Sequence, residues 1–320
     1  MTDDHNDDIT NGTDGAAPGA VNENSSAKDI EEAAVATRKQ IAKEQRRVLS
    51  RTPGFIIGSA ILLFWVVSAI FPTLITDTDP KATVRLDDGS ALIREGPSAD
   101  AWFGTDTIGR DVFARVIHGA EPVLVVSPIA TILAIIAGTL VGLAMGYYLG
   151  WVDEVLSRIV ESILSIPVIL TAILVIFTFG QSTPVIIGTV ALLFTAPIAR
   201  TVRAATISEA QLDYVTSAKM RGESSLFIIT REILPNITGV IVVEMTVRLG
   251  YAVFTVATLA FIGFSAGDIT EPDWGVDVSQ QWERIVGDVW WPTIFPALAI
   301  ASLVIAVNLV ADSIDRATKS

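Results

Sequence analysis

The chain has 320 residues, 51% of them hydrophobic, and a mean hydropathy of +0.53, more apolar character than a soluble domain of this length needs. Its 35 acidic and 22 basic residues leave a net charge of −13, which argues against a nucleic-acid partner. The absence of cysteine excludes disulfides, thiolate metal sites and cysteine nucleophiles.

Residues 1–30 are polar, aperiodic and rich in Gly, Asn and Asp, so disorder is expected there. Much of the acid lies in this stretch, at Asp3, Asp4, Asp7, Asp8, Asp14 and Glu23. It reads either as an acidic tail or as adaptation to high salt, and both readings stay open. Residues 31–50 carry Ala34, Ile41 and Val48 among Arg and Lys, the pattern of a helix lying along the inner membrane surface. Apolar runs follow at about 55–75, 122–150, 159–179, 184–199, 237–265 and 292–311, each close to the ~20 residues that cross a ~30 Å hydrocarbon core. They predict an all-α, polytopic membrane protein with six transmembrane helices. The first run begins too far into the chain, and lacks the small-residue site, for a cleavable signal peptide.

Between the first two runs, residues 76–101 read as an external excursion with turns at Asp88-Gly89 and Gly96-Pro97. The stretch 103–120 then contains Gly104-Thr105-Asp106, Gly109-Arg110-Asp111 and His118. Asp106 is expected to cap a helix that runs from Thr107 and anchors the second span; a gate at this surface is the alternative. Gly138, Gly142 and Gly146 form a small-residue stripe in the second span, read as intrachain packing rather than a subunit interface. Pro167, Pro184 and Pro197 are expected to bend the third and fourth spans. Residues 208–236 form an amphipathic, charged segment between two apolar runs, with helical pieces at 209–221 and 223–234. Gly222 separates them, as a residue that can end one helix and re-aim the next, and Pro235 opens the following span. Glu244 and Arg248, four apart in that span, are expected to pair against neighbouring helices, with a substrate-facing role as the alternative.

The 208–236 segment resembles the cytoplasmic "EAA" loop of ABC importer permeases. In that pattern a small-residue triplet precedes a Gly and, further on, Leu-Pro. Here the triplet is Thr216-Ser217-Ala218, the Gly is Gly222 and the ending is Leu234-Pro235. Asp213-Tyr214-Val215 and Arg231 through Asn236 are most similar to the dipeptide/oligopeptide/nickel branch, although Thr216 replaces the usual acid and Glu232 the usual His. The 103–120 stretch resembles the GTD-x-x-GRD motif of the same branch. Pro272-Asp273-Trp274-Gly275, Trp290-Trp291-Pro292 and Asn308 through Asp315 resemble its closing section, with the two Trp expected in an interfacial belt. Glu31-Glu32-Ala33-Ala34 spells the motif's name without the spaced Gly and Leu-Pro, and is set aside.

The resemblance implies a type I ABC importer permease fold. It divides the chain into 1–51 as tail and surface helix, 52–101 as first span and external loop, and 102–316 as permease core. It implies a second homologous permease, two P-loop ATPase subunits and an external substrate-binding protein as partners in the plasma membrane. ATP and Mg would bind the ATPase subunits, with no cofactor on this chain. Tyr214, Thr216, Ser217, Ala218, Gly222, Glu232, Leu234 and Pro235 would contact the ATPase, and Glu161 would brace their loop. Arg38, Lys39, Lys43, Arg46, Arg47 and Arg51 before the first span place the N-terminus inside, and an even number of spans returns the C-terminus to that side. Lys81, Arg85, Arg94, Arg110 and Arg115 run against this count, because their segment must lie outside.

No phosphate-cradling G-x-x-x-x-G-K-[ST] or H-E-x-x-H sequence occurs, so neither ATP hydrolysis nor metal chemistry is expected of the chain. Gly263-Phe264-Ser265-Ala266-Gly267 fits a nucleophile elbow formally, but it ends a membrane run, and His5 and His118 are the only histidines. The remaining alternative is a secondary transporter or channel working without ATPase partners, for which symmetry between halves and paired intramembrane carboxylates would be expected.

Overall fold

The computed structural model describes residues 52–265, 267, 268 and 270–319. The disorder expected for 1–30 and the surface helix expected for 31–50 lie outside the described residues. Among the described residues the fold is all-helical, with three isolated bridges, Thr83↔Arg110, Arg85↔Ala91 and Thr105↔Asp111, in the segment after the first helix.

Helix α1, Pro53–Ile70, starts on a proline, whose missing N–H is one the first turn leaves unpaired anyway. The excursion that follows makes its expected turn at Asp88-Gly89, where Gly89 has φ +84° and Ser90 N donates to Asp88 Oδ1 at 2.8 Å. Helix α2, Val112–His118, leads through Gly119 into α3, Ala120–Tyr148. The third apolar run is not one continuous helix. It divides into α4, Gly150–Ser165, and α5, Val168–Phe179, which meet at 95°. Pro167 stands at the break and, having no N–H, cannot carry the α4 hydrogen-bond ladder forward. Helix α6, Thr183–Ala210, holds the fourth run. Pro184 opens this helix rather than bending it, and Pro197 sits inside it without ending it. Beyond come α7, Asp213–Met220; α8, Ser225–Phe227; a π-helical turn, Ile228–Ile233; and α9, Leu234–Phe261. A short helix α10, Trp274–Gln281, precedes the last span α11, Trp291–Lys319.

The most extensive packing joins α3 to α6, and the glycine stripe explains it. A Cβ on Gly138 would lie 2.6 Å from Ile198, one on Gly142 2.7 Å from the Ala199 carbonyl, and one on Gly146 2.5 Å from Thr206. The absent side chains let the two backbones touch, so the stripe serves intrachain packing as the sequence predicts. The contact partners also climb together along both helices, which makes α3 and α6 parallel. Parallel neighbours require the intervening chain to recross the membrane, so the bent pair α4–α5 is one broken span. With α1, α3, α6, α9 and α11 it completes six crossings.

A second apolar cluster gathers α1, α2, α10 and α11 around Trp65, Trp274 and Trp291. Trp65 meets the Trp274 ring edge-on at 4.7 Å and donates to Ser302 Oγ at 2.9 Å. Two turns earlier on the same face of α1, a Cβ on Gly58 would lie 2.8 Å from the Ala306 carbonyl of α11.

Candidate functional site

The 208–236 segment is built as two helical arms around a glycine. The first arm starts at Asp213, because Glu209 and Ala210 still belong to α6. It ends at Met220, where Gly222 N donates to Lys219 O at 3.1 Å and Glu223 N to Ala218 O at 3.3 Å, the Schellman pattern. Gly222 occupies the left-handed position at φ +78°, and a Cβ there would meet nothing within 4 Å, so its conformation and not its size is what matters. The second arm starts later than the pattern suggests, at Ser225, with the Ser224 hydroxyl accepting from Phe227 N at 3.3 Å.

Pro235 does not begin a separate helix. The second arm continues into α9 through the π-helical turn, whose wider ring, with Leu234 N donating to Ile229 O, takes up the disruption next to the proline. The Glu232 carbonyl in that turn accepts from Asn236 Nδ2 at 2.7 Å.

Tyr214 ties the arms together. Its hydroxyl donates to the Glu209 carboxylate and accepts from Asn236 Nδ2 at 2.9 Å. Burial, reinforced by Glu209, pushes the phenol up to about 12, so it remains a proton donor. Of the triplet, Ala218 is buried, Ser217 half-buried and Thr216 exposed. Leu234 is packed against the core, and Glu232 faces Arg221 across the hinge at 3.9 Å. Lys219 lies 5.3 Å from the Tyr147 ring centroid at the end of α3. Leu212, Met220, Leu226 and Phe227 remain exposed, by 78% at Met220, and give the segment an apolar outer surface.

The acid that fastens the neighbouring chain is not the expected one. Glu161 is exposed on α4 and acts on Arg203 electrostatically. Asp153, one turn into α4, takes the Arg203 guanidinium in two hydrogen bonds of 2.6 Å, holding α4 to α6 above the segment. Nothing in the local sequence marks this pair, whose members stand 50 residues apart.

At the opposite end, the GTD-x-x-GRD residues form a locked platform. Asp106 does not cap a helix: it accepts from Ile108 N, Arg110 N and Arg110 Nε, the last at 2.6 Å. The cap is Asp111, accepting from Phe113 N at 2.8 Å, because Gly109 at φ +83° turns the chain before any helix can start. Gly104, at φ +76°, lies against Trp291, whose Nε1 donates to the Thr105 carbonyl at 2.9 Å. Trp291 is therefore a buried clamp and not a belt residue, whereas Trp290 is exposed. The motif's next cation, Arg115, is 2% exposed and pairs with Asp277 of α10 at 2.5 Å. Burial lifts the Asp277 carboxyl to about 6 against the pull of Arg115. Trp274 seals the joint, donating to Val116 O at 2.7 Å.

Within the spans, Arg248 meets Glu244 at 2.9 Å as expected, and Thr201 of α6 donates to Glu244 at 2.8 Å. The pair is thus engaged with a neighbouring helix. Ser265 donates to Asp273 Oδ2 at 3.0 Å, and Asp273 Oδ1 in turn caps α10. Ser265 accordingly supports the α10 cap through Asp273. Among the described residues no cluster of His, Cys, Asp and Glu could hold a metal ion.

Residues 138–320 match the family described as the binding-protein-dependent transport system inner membrane component. A dipeptide transport system permease protein of Alkalihalophilus pseudofirmus is 33% identical over 272 residues, covering 85% of this chain and 87% of that protein. Its namesake in Bacillus subtilis is 32% identical over 275 residues, or 85% and 83% of the two chains. A glutathione transport system permease protein of Pectobacterium atrosepticum is 35% identical over 222 residues, or 69% and 73%.

Proposed function

The chain belongs to the family of binding-protein-dependent transport system inner membrane components, and from that premise we propose that it is one of two permeases in an ATP-driven importer of peptides or related small solutes. The dipeptide and glutathione permeases among its relatives support this solute class. The complex would comprise this chain, a second homologous permease, two P-loop ATPase subunits that bind ATP and Mg, and an external protein that delivers the solute. The chain itself is the non-catalytic conduit of the plasma membrane, with both termini on the cytoplasmic side.

One observation carries the reading: the 208–236 segment is a preformed two-armed surface. Its arms are joined by Tyr214 to Glu209 and Asn236, and its apolar residues are left outside. A loop with no partner has no reason to expose Met220 and Leu226 beside a hinge held in one geometry. Closure of the ATPase pair would push on these arms, and the continuous path from α8 into α9 would carry the push into a membrane span. The residues assigned to this contact are Thr216, Ser217, Gly222 and Glu232, with Tyr214, Ala218, Leu234 and Pro235 holding their frame.

Copurification of the chain with a P-loop ATPase, followed by uptake assays across candidate peptides, tests the proposal. The ATPase is expected to remain bound in mild detergent and to be released by Met220→Asp and Leu226→Asp. Robust uptake by the chain without any ATPase would sink it in favour of a secondary transporter.

A further inference from the structure

We propose that Arg203 is a positioning residue for transport: through Asp153 it holds the corner between α3 and α4 in a strained conformation. Displacement of Arg203 by the coupling segment releases α4 to swing about Leu149–Gly150. The proposal rests on the permease reading above and adds a second route from that segment into the spans. The corner is a single residue long. Helix α3 ends at Tyr148 and α4 begins at Gly150, so Leu149 alone turns the chain. It does so at φ +51° and ψ −164°, with Gly150 following at φ +55°. Gly150 takes a positive φ at no steric cost. Leu149 does not, because its Cβ is crowded in backbone territory that glycine alone enters readily. Its side chain is 46% exposed, so packing does not compensate the strain.

The constraint comes from Arg203, which grips both sides of the corner. On the α3 side, a Cβ on Gly146 would lie 2.8 Å from the Arg203 carbonyl, so the two backbones are in contact there. On the α4 side, the Arg203 guanidinium donates through Nε and Nη2 to the two carboxylate oxygens of Asp153, at 2.6 Å each. Ser157 donates to the same carboxylate at 3.1 Å and helps to aim it. Among the described residues this is the only ion pair that joins α4 to another helix. Val160 is the only fully buried residue of α4, so little else keeps the start of that helix against α6.

The coupling segment reaches the same corner from two directions. Lys219 of α7 lies 5.3 Å from the ring centroid of Tyr147, next to the end of α3. Tyr214 of α7 donates to the Glu209 carboxylate, less than two helical turns beyond Arg203 on α6. A push on α7 thus acts on both helices that Arg203 joins, and the Asp153–Arg203 pair is what must give. The pair is suited to opening: the Arg203 side chain is 34% exposed and that of Asp153 16%, so water meets the separated charges. Two arrangements follow, one latched with strain at Leu149 and one released with Leu149 relaxed, and the coupling segment biases the choice between them.

The absence of native cysteine makes the test direct. Spin labels at Val155→Cys on α4 and Leu192→Cys on α6, both exposed positions, report the distance between the two helices. In the full chain in lipid nanodiscs, Asp153→Asn and Arg203→Gln are each expected to shift the mean distance. The charge swap, Asp153→Arg with Arg203→Asp, should restore it. Leu149→Gly should keep the wild-type mean even in combination with Asp153→Asn, because glycine leaves no strain to drive the swing. In the assembled complex in proteoliposomes, ATP should shift the wild-type distance in the same direction. There Asp153→Asn should raise the ATP hydrolysed per solute imported by about fivefold or more, the smallest change that relief of such strain supplies. An unchanged distance in both single variants would overturn the proposal. So would the same shift with Leu or Gly at position 149, which marks a purely structural tie. The nanodisc measurement needs no ATPase, so a chain that binds none refutes the importer reading while the distance still decides the latch.

Discussion

Arg115 shows how much one residue can organise at the outer end. It donates to Asp277 through Nε and Nη2, and to the carbonyls of Pro80, Thr270 and Glu271. Three separate stretches of chain therefore converge on one guanidinium. Asp277 Oδ2 is left buried without a partner, in keeping with the upward push on its carboxyl. Asp277→Ala should cost about 3–5 kcal/mol, since it strands a buried cation, and thermal unfolding in detergent would register the loss. The pH dependence has a definite sign. Burial pushes the folded carboxyl up to about 6, above the ~3.9 of an unfolded chain. Between those values the native state holds more protons, so this group's contribution to stability falls as pH rises through the window and is level above it. The difference in melting temperature between the wild type and Asp277→Asn should thus vary from about pH 4 to pH 6 and be constant from pH 6 to pH 8. Arg115 and Asp277 were hard to read from sequence, because only the folded platform brings positions 162 residues apart together. Glu244 and Arg248 were easy, because one helical turn separates them.

At the scale of elements, two glycines make opposite demands. Gly142 is needed for space: its Cβ would press on the Ala199 carbonyl and on Val202, both at 2.7 Å. Gly142→Ala should therefore destabilise by about 1–3 kcal/mol, the usual cost of overpacking. Gly188→Ala, in α6 with nothing within 4 Å of its Cβ, should be neutral or stabilising by up to about 1 kcal/mol through helix propensity. A melting comparison that ranked the two alike would contradict the close approach of α3 and α6. Gly222 is needed for conformation. Gly222→Asn, which tolerates φ above zero, should keep most coupled uptake. Gly222→Pro fixes φ near −65° and removes the N–H that reaches Lys219 O, so the subunit should insert normally yet leave the assembled complex hydrolysing ATP without uptake. The helical runs were legible because apolar length is read along the chain. The bend at Pro167 was legible too, because a proline interrupts the hydrogen-bond ladder, but its 95° angle was not, since packing and not local sequence sets how far the chain turns. The misplaced cap has a related cause. Asp106 and Asp111 are both competent N-caps, and the choice falls to the turn at Gly109 and to Trp291, 186 residues from its acceptor Thr105.

The whole molecule settles its own crossing count through packing geometry. Were α4–α5 a re-entrant loop, α6 would enter from the side on which α3 ends and run antiparallel to it. The contacts of Gly138 with Ile198 and of Gly146 with Thr206 require the parallel arrangement instead. Six crossings put the 208–236 segment on the same side as the start of α1, the cytoplasmic side in the orientation proposed above from Arg46, Arg47 and Arg51. The basic residues that ran against this orientation are largely committed in the fold. Lys81 meets Glu271 at 2.6 Å, Arg110 meets Asp106, and Arg115 meets Asp277. They build the outer platform and do not form a free basic flank. A small epitope inserted at the exposed Asp88-Gly89 turn should therefore be reached by antibody on intact, outer-membrane-permeable cells. The same epitope beside Thr216 should be reached only after the inner bilayer is opened. Five crossings would instead put the Thr216 site on the outer side with the Asp88 site, so equal accessibility would refute both the broken-span assignment and the coupling role built on it.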